Sequence, residues 1–302
     1  MTWPGPCTAA GGAAPPPLSH PHKPRTAGRQ AKRQTRSRGV SATVIITGAA
    51  GGMGIPTARR FAAQRRPLLL CDVSAGKLEH VAAELRGEGA AVTTLAGDIS
   101  APDFPQALLA ALGDAPLHAL VHTAGLSPTM ADPLRILEVN YVATERLVAA
   151  LLPRFETGGC AVLISSMSGY LLRDPAMVAA VEDMVAGKGS AAVEGFAVNP
   201  GMGYTLSKRA VIALVGREAA AFGARGLRIC SIAPGFIDTP MSRAEQQESE
   251  QMRQMITMVP LARLGHGDEI ASVAQFLCSP AASYVSGCDI PVDGGILGRL
   301  GF

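Results

Sequence analysis

From Thr43 to Val292 the chain alternates short, uninterrupted apolar runs with stretches of helical spacing. Thr43 to Thr47, Pro67 to Cys71, Ala91 to Ala96, Leu117 to His122, Cys160 to Ser165, Arg228 to Ala233 and Asp289 to Val292 read as strands. Gly52 to Arg65, Lys77 to Arg86, Leu134 to Phe155, Tyr204 to Phe222 and Glu269 to Leu277 read as helices. A strand with no polar alternation is buried on both faces. Strands of that kind separated by helices imply a parallel sheet covered on both sides. The expected fold is therefore a doubly wound α/β sheet, with a ligand at the carboxyl ends of its strands.

Composition agrees with a large folded core. Of 302 residues, 48% are hydrophobic and 17% charged, which excludes a wholly disordered chain. No apolar run approaches the roughly 18 residues needed to span a bilayer, so no membrane span is expected. Cys7, Cys71, Cys160, Cys230, Cys278 and Cys288 include no C-x-x-C pair, which argues against a disulfide framework or a zinc site. A reducing compartment, the cytoplasm, fits best.

Charge is unevenly placed. Residues 1–40 hold seven basic side chains, seven prolines and no acid, while the remainder carries 20 basic and 24 acidic residues. The acidic body gives no reason to expect nucleic acid. Residues 1–40 are expected to be a disordered basic tail, and residues 41–302 a single domain. Val40 stands just before the first strand, and valine codons can serve as translation starts. The sequence thus leaves three readings of the tail: a genuine disordered segment, a transit peptide, which its prolines oppose, or an artefact of start-site choice.

Two local patterns carry chemistry. Thr47 is followed by Gly48-Ala49-Ala50-Gly51-Gly52-Met53-Gly54 between a strand and a helix. Glycines there allow a tight turn and bring backbone amides close to a pyrophosphate at a helix N-terminus. Asp72, at the end of the second strand, is placed to accept hydrogen bonds from an adenosine ribose and to repel a 2′-phosphate. The second pattern is Tyr204-x-x-x-Lys208, which puts both side chains on one helix face. An ammonium beside a phenol favours phenolate and makes the tyrosine a usable acid or base.

Taken together, these motifs resemble the short-chain dehydrogenase/reductase family, in register from about Ala42 to Gly295. The glycine-rich turn is Thr47 to Gly54, with Gly48, Gly52, Met53 and Gly54 as cofactor candidates. The acids after the second and third strands are Asp72 and Asp98, the latter followed by Ile99. The motif after the fourth strand is His122-Thr123-Ala124-Gly125. The family's helix asparagine matches Asn140, and its serine matches Ser166 in Ser165-Ser166-Met167-Ser168-Gly169. Pro234-Gly235, Ile237 and Thr239 follow the sixth strand, and Asp293-Gly294-Gly295 closes the match.

The resemblance implies a Rossmann-type doubly wound parallel sheet of about seven strands and hydride transfer between a secondary alcohol or ketone and a nicotinamide. It implies that Tyr204 is the general acid/base, that Ser166 bonds the substrate oxygen, and that Lys208 lowers the tyrosine pKa and binds the nicotinamide ribose. Asn140 would hold a water linking Lys208 to solvent. Ser165 competes for the serine role. NAD is expected as cofactor rather than NADP, because of Asp72. No metal is expected.

Departures from the family pattern narrow the reading. His122 and Thr123 replace the usual asparagine pair, and His122 reads as a packed strand-end residue with a catalytic role as the alternative. Ser166 and Tyr204 lie 38 positions apart, beyond the family norm, so roughly Tyr170 to Gly203 is an insertion, with a helix over Pro175 to Ala186. Its apolar face is expected over the substrate cleft or against another subunit. The insertion, Ala124 to Pro128 and Ser279 to Val285 are similar to the 3α-hydroxysteroid dehydrogenase/carbonyl reductase members, which implies a homodimer or homotetramer. Met241, Met252, Met255 and Met258 suggest either an adaptable lid over an apolar alcohol or ketone or an amphipathic surface helix whose methionines are core. The alternatives are an NADP-dependent 3-oxoacyl reductase and a non-catalytic NAD-binding sensor or scaffold.

Overall fold

The computed structural model describes residues 41–302; the tail assigned to residues 1–40, with Cys7, lies outside them. Its elements are, in order, β1 (Thr43–Thr47), α1 (Gly54–Ala63), β2 (Leu68–Asp72), α2 (Ala75–Gly87), β3 (Val92–Ala96), α3 (Phe104–Leu112) and β4 (Leu117–His122). There follow α4 (Pro133–Leu137), a π turn (Glu138–Val142), α5 (Ala143–Leu151) and β5 (Phe155–Ile164). A 3-10 turn (Met167–Tyr170) leads into the insertion, which forms α6 (Pro175–Asp183), a second π turn (Met184–Lys188) and α7 (Ala191–Glu194). The chain ends with α8 (Pro200–Gly223), β6 (Arg228–Pro234), β7 (Ile237–Asp238), α9 (Pro240–Glu248), α10 (Glu250–Thr257), β8 (Gly265–His266), α11 (Gly267–Leu277), β9 (Cys288–Val292) and α12 (Ile296–Arg299).

Seven strands form one sheet in the order β3-β2-β1-β4-β5-β6-β9, every adjacent pair parallel. The order reverses between β1 and β4, which opens a crevice at their carboxyl ends. Successive side chains of a strand face opposite ways. Val44 and Ile46 pack with Phe61 of α1, Leu78 of α2 and Ile270 of α11. Ile45 and Leu69 pack on the other face with Leu108 of α3, Leu147 of α5 and Leu206 of α8. Each layer is thus an apolar helix stripe against one face of the sheet. No helix of the described residues is long and apolar enough to cross a membrane.

Three sequence expectations change. The helix expected from Leu134 to Phe155 is interrupted by the π turn and ends early. Phe155 begins β5 rather than closing the helix, and β4 and β5 pair irregularly, Leu117 with Phe155 but Ala119 with Cys160. Gly158 sits at φ +86° inside this excursion, a conformation open to glycine. Helix α3, unmarked by the sequence pattern, fills the crossover between β3 and β4. The insertion keeps its apolar face for the protein's own core. Val181, Met184, Val185 and Val193 are buried with residues of α5 and α8, and Asp174 caps α6 through bonds from Ala176 N and Met177 N. Only its two ends, at Leu171 and Gly201, reach the cleft described below.

Candidate active site

A cavity of about 400 Å³ opens at the carboxyl ends of β4, β5 and β6. Its wall includes Met53, Thr123, Gly125, Ser166, Tyr204, Lys208, Pro234, Gly235, Ile237 and Thr239. Gly48, Gly52, Gly54, Asp72, Asp98, Ile99, Ala124 and Asn140 are not among its lining residues.

Helix α8 carries Tyr204 and Lys208. Its start is fixed by Pro200 and by the Asn199 side chain, which accepts from Met202 N at 2.9 Å. The Lys208 ammonium is 5% exposed and donates to Ile164 O at 2.8 Å. It stands 5.5 Å from the centre of the Tyr204 ring. Burial pushes Lys208 down to about 8, and the Asp289 carboxylate opposes that fall.

The two serines divide their work. Ser165 donates toward Ile232 O at 2.8 Å and Asp289 Oδ1 at 2.5 Å, so its proton is committed to the sheet. Ser166 Oγ accepts from Ser168 N at 3.1 Å and keeps its own proton to donate. Asn140 lies in the π turn, 2% exposed. Its amide bonds both backbone groups of Leu126, accepting at 2.7 Å and donating at 3.0 Å, and also donates to Ser207 Oγ. Its backbone carbonyl accepts from Thr144 Oγ1 at 2.9 Å. The Asn140 side chain is therefore a clamp on the loop after β4.

His122 is fully enclosed. Thr144 gives its proton to Asn140 O, so it accepts from His122 Nε2 at 2.8 Å, which leaves Nδ1 to accept from Thr47 Oγ1 at 2.7 Å. The network settles the tautomer and ties β1, β4 and α5 together. Burial, then the charge of Lys208, pushes His122 down to about 3. An unfolded chain binds a proton here below about pH 6.5 while the folded one does not. Stability from this group is thus lost as pH falls from 6.5 toward 3. Chemical denaturation between about pH 6 and 4 is expected to give a loss approaching 1.4 kcal/mol per pH unit from this site. The slope should flatten in His122→Asn, and an equal slope in the variant would refute the assignment.

The glycine-rich turn fits a dinucleotide. Helix α1 begins at its end with Met53 as N-cap, no side-chain cap and no acid in the first turn, so its amide dipoles suit an anion. Gly48 has φ +66°, and a Cβ there would lie 2.6 Å from Ala124 N. Asp72 accepts from Ala50 N at 3.0 Å and Ser74 N at 2.9 Å, which holds the carboxylate beside the turn. Thr123 donates to Thr47 O at 2.7 Å and joins β4 to the same turn. On the far side of β2, burial raises Asp98, but bonds from Ser100 and then Arg135 outweigh it and hold the carboxyl below its usual range. Ile99 is buried beside it.

Comparison with known proteins identifies the family. Residues 42–180 match the family described as short chain dehydrogenase, and residues 174–297 the one described as Enoyl-(Acyl carrier protein) reductase. The chain is 31% identical over 266 residues to galactitol 2-dehydrogenase (L-tagatose-forming) of Cereibacter sphaeroides, covering 84% of this chain and 94% of that one. It is 32% identical to the 3-alpha-hydroxysteroid dehydrogenase/carbonyl reductase of Comamonas testosteroni, covering 84% and 95%. The solved 3-alpha-hydroxysteroid dehydrogenase of Pseudomonas sp. B-0831, complexed with NADH, superposes with a TM-score of 0.71 at 27% identity, covering 86% and 100%. The chain belongs to the short-chain dehydrogenase/reductase family, an oxidoreductase family acting on alcohols and ketones.

Proposed function

We propose that this enzyme interconverts a bulky apolar secondary alcohol and its ketone with NAD, a hydroxysteroid or terpenoid being the substrate class. The observation that carries the proposal is Tyr204 and Lys208 on one face of α8, opening with Ser166 onto a cavity rich in methionine. Leu126, Met167, Leu171, Phe236, Met241, Met252 and Met255 give that cavity a deformable apolar wall. A polyol such as the one named for the Cereibacter relative would leave most of its hydroxyls unpaired against this wall. Helices α9 and α10 carry three of the methionines that line the cavity, which supports reading them as a lid.

Each residue has a role its surroundings support. Tyr204 moves the proton at the substrate oxygen. Lys208, held on Ile164 O, stabilises the phenolate and is placed for the nicotinamide ribose. Ser166 donates its unused proton to the same oxygen and stabilises charge that develops there. Asn140 holds the loop carrying Gly125 and Leu126 in place from behind. A bound nicotinamide supplies the hydride acceptor or donor. Gly48, Gly52, Met53 and Gly54 would cradle the pyrophosphate. Asp72 would take the ribose hydroxyls, Asp98 and Ile99 would flank the adenine, and Thr123 to Gly125 with Pro234, Gly235, Ile237 and Thr239 would bound the nicotinamide end. The same reading makes the protein a cytoplasmic homodimer or homotetramer, as supported by its family.

Cofactor choice is tested by titration. The fixed Asp72 carboxylate repels a 2′-phosphate, so NAD is expected to bind at least about tenfold tighter than NADP. Asp72→Ala should narrow the gap. Equal or tighter NADP binding by the unaltered protein would overturn the NAD reading and favour the 3-oxoacyl reductase alternative.

A further inference from the structure

Beneath the cavity floor the sheet carries a polar group that the roles above leave unused. Asp289 lies on β9, paired in register with Ser231 of β6. Both of its carboxylate oxygens are gripped by hydroxyls. Ser165 donates to Oδ1 at 2.5 Å and Tyr170 donates to Oδ2 at 2.8 Å. Ser231 Oγ is buried beside them without a hydrogen-bond partner. Ser165 directly follows Ile164, whose carbonyl holds the Lys208 ammonium, and directly precedes Ser166. A carboxylate at this spot is therefore fixed to the very segment that holds Lys208 and Ser166.

We propose that Asp289 is a positioning residue: its carboxylate, fixed by the Ser165 and Tyr170 hydroxyls under the end of β5, is the counter-charge that keeps the buried Lys208 ammonium charged beside Tyr204. The proposal rests on the reading of Tyr204 and Lys208 given above. The other groups acting on Lys208 do not replace this charge. His122, from β4, is neutral and fully buried, and Tyr204 shares the helix. Around Tyr170 and Asp289 stand Arg209 of α8, Asp293 beyond the end of β9, and the Cys288 thiol. Among these groups, Asp289 is the one that favours the protonated form of Lys208.

Magnitude decides whether this matters. A lysine titrating near 8 stays mostly charged at pH 7, and a fall of about one unit leaves it about half charged. Loss of one nearby opposite charge commonly moves a group by about one unit or more. The balance at Lys208 is thus close enough to working pH for Asp289 to set it.

The test uses the full chain, without substrate. Its lysines are Lys23, Lys32, Lys77, Lys188 and Lys208, few enough to resolve by ¹³C-lysine NMR, with Lys208→Met identifying the buried signal. The Lys208 midpoint is expected to fall by about one unit or more in Asp289→Asn and to return in Asp289→Glu. It should move by at most about 0.3 unit in Ser165→Ala and Tyr170→Phe, which keep the charge. An unmoved midpoint in Asp289→Asn, or equal shifts in all four variants, would overturn the proposal. In turnover assays the pH limit set by Lys208 should move down in Asp289→Asn by the same amount. Absence of turnover in the unaltered protein would count against the functional reading alone, since the NMR titration needs no catalysis.

Discussion

Tyr204→Phe is expected to lower kcat/KM for alcohol oxidation by about 10²- to 10⁴-fold, the range for losing a positioned general base. The change removes one hydroxyl and keeps the ring. Tyr204 is half-buried on α8, a helix packed through Leu206, Ala210, Val211 and Leu214 into the core, so the backbone has no reason to move. Lys208 keeps its bond to Ile164 O and its place beside the ring. Affinity for NAD, read by quenching or transfer of nicotinamide fluorescence, is therefore expected to change by less than about threefold, under 0.7 kcal/mol. A variant with more than about a tenth of the original activity would remove Tyr204 from the acid/base role.

Gly54→Ala is expected to have the second largest effect, on cofactor binding and stability together. A Cβ at Gly54 would stand 2.7 Å from Ala49 Cα and run into Gly48 O. Both obstacles are backbone atoms of the turn itself, so relief requires the turn to open. Overpacking of this kind costs about 1–3 kcal/mol, which lowers Tm by roughly 3–10 °C for a domain of this size. Because opening the turn displaces the backbone amides that would hold the pyrophosphate, NAD affinity should fall by at least about tenfold. Gly216→Ala is the control. Gly216 is exposed in the middle of α8 with open space at its Cβ position, and alanine there should stabilise by about 0.5–1 kcal/mol. Calorimetry and cofactor titration of the two variants check the contrast, and equal behaviour would refute the cradle.

The inner strands were legible because buried parallel strands have no solvent face to mark with polar residues. Leu117 to His122 reads as one block, and its bounds in the structure are the same. The helices were legible where one stripe is apolar, as with Leu78, Val81, Ala82 and Leu85 of α2. The π turn at Glu138–Val142 was not, since apolar spacing runs through it and one extra residue per turn leaves little trace in composition. That turn nevertheless sets the side chain of Asn140 against Leu126. Phe155 reads in the sequence as the end of a helix, with Pro153 compatible with a break near there; pairing with Leu117 decides for a strand. The motifs located Ser166, Tyr204 and Lys208 along the chain, but only the fold puts them around one cavity. Asp289 was invisible as a partner. An acid at the start of an edge strand reads as a solvated charge, and its meaning comes from the packing of β9 against β6 beside Ser165.

Hydride transfer itself is tested most directly by incubating the full chain with NAD and a panel of secondary alcohols, hydroxysteroids and terpenoid alcohols included, deuterated at the carbinol carbon. The predicted result is nicotinamide reduction with at least one bulky apolar member, deuterium recovered on the reduced cofactor, and loss of both in Tyr204→Phe. Tight NAD binding with no reduction by any member of the panel would contradict the account and favour an NAD-binding sensor.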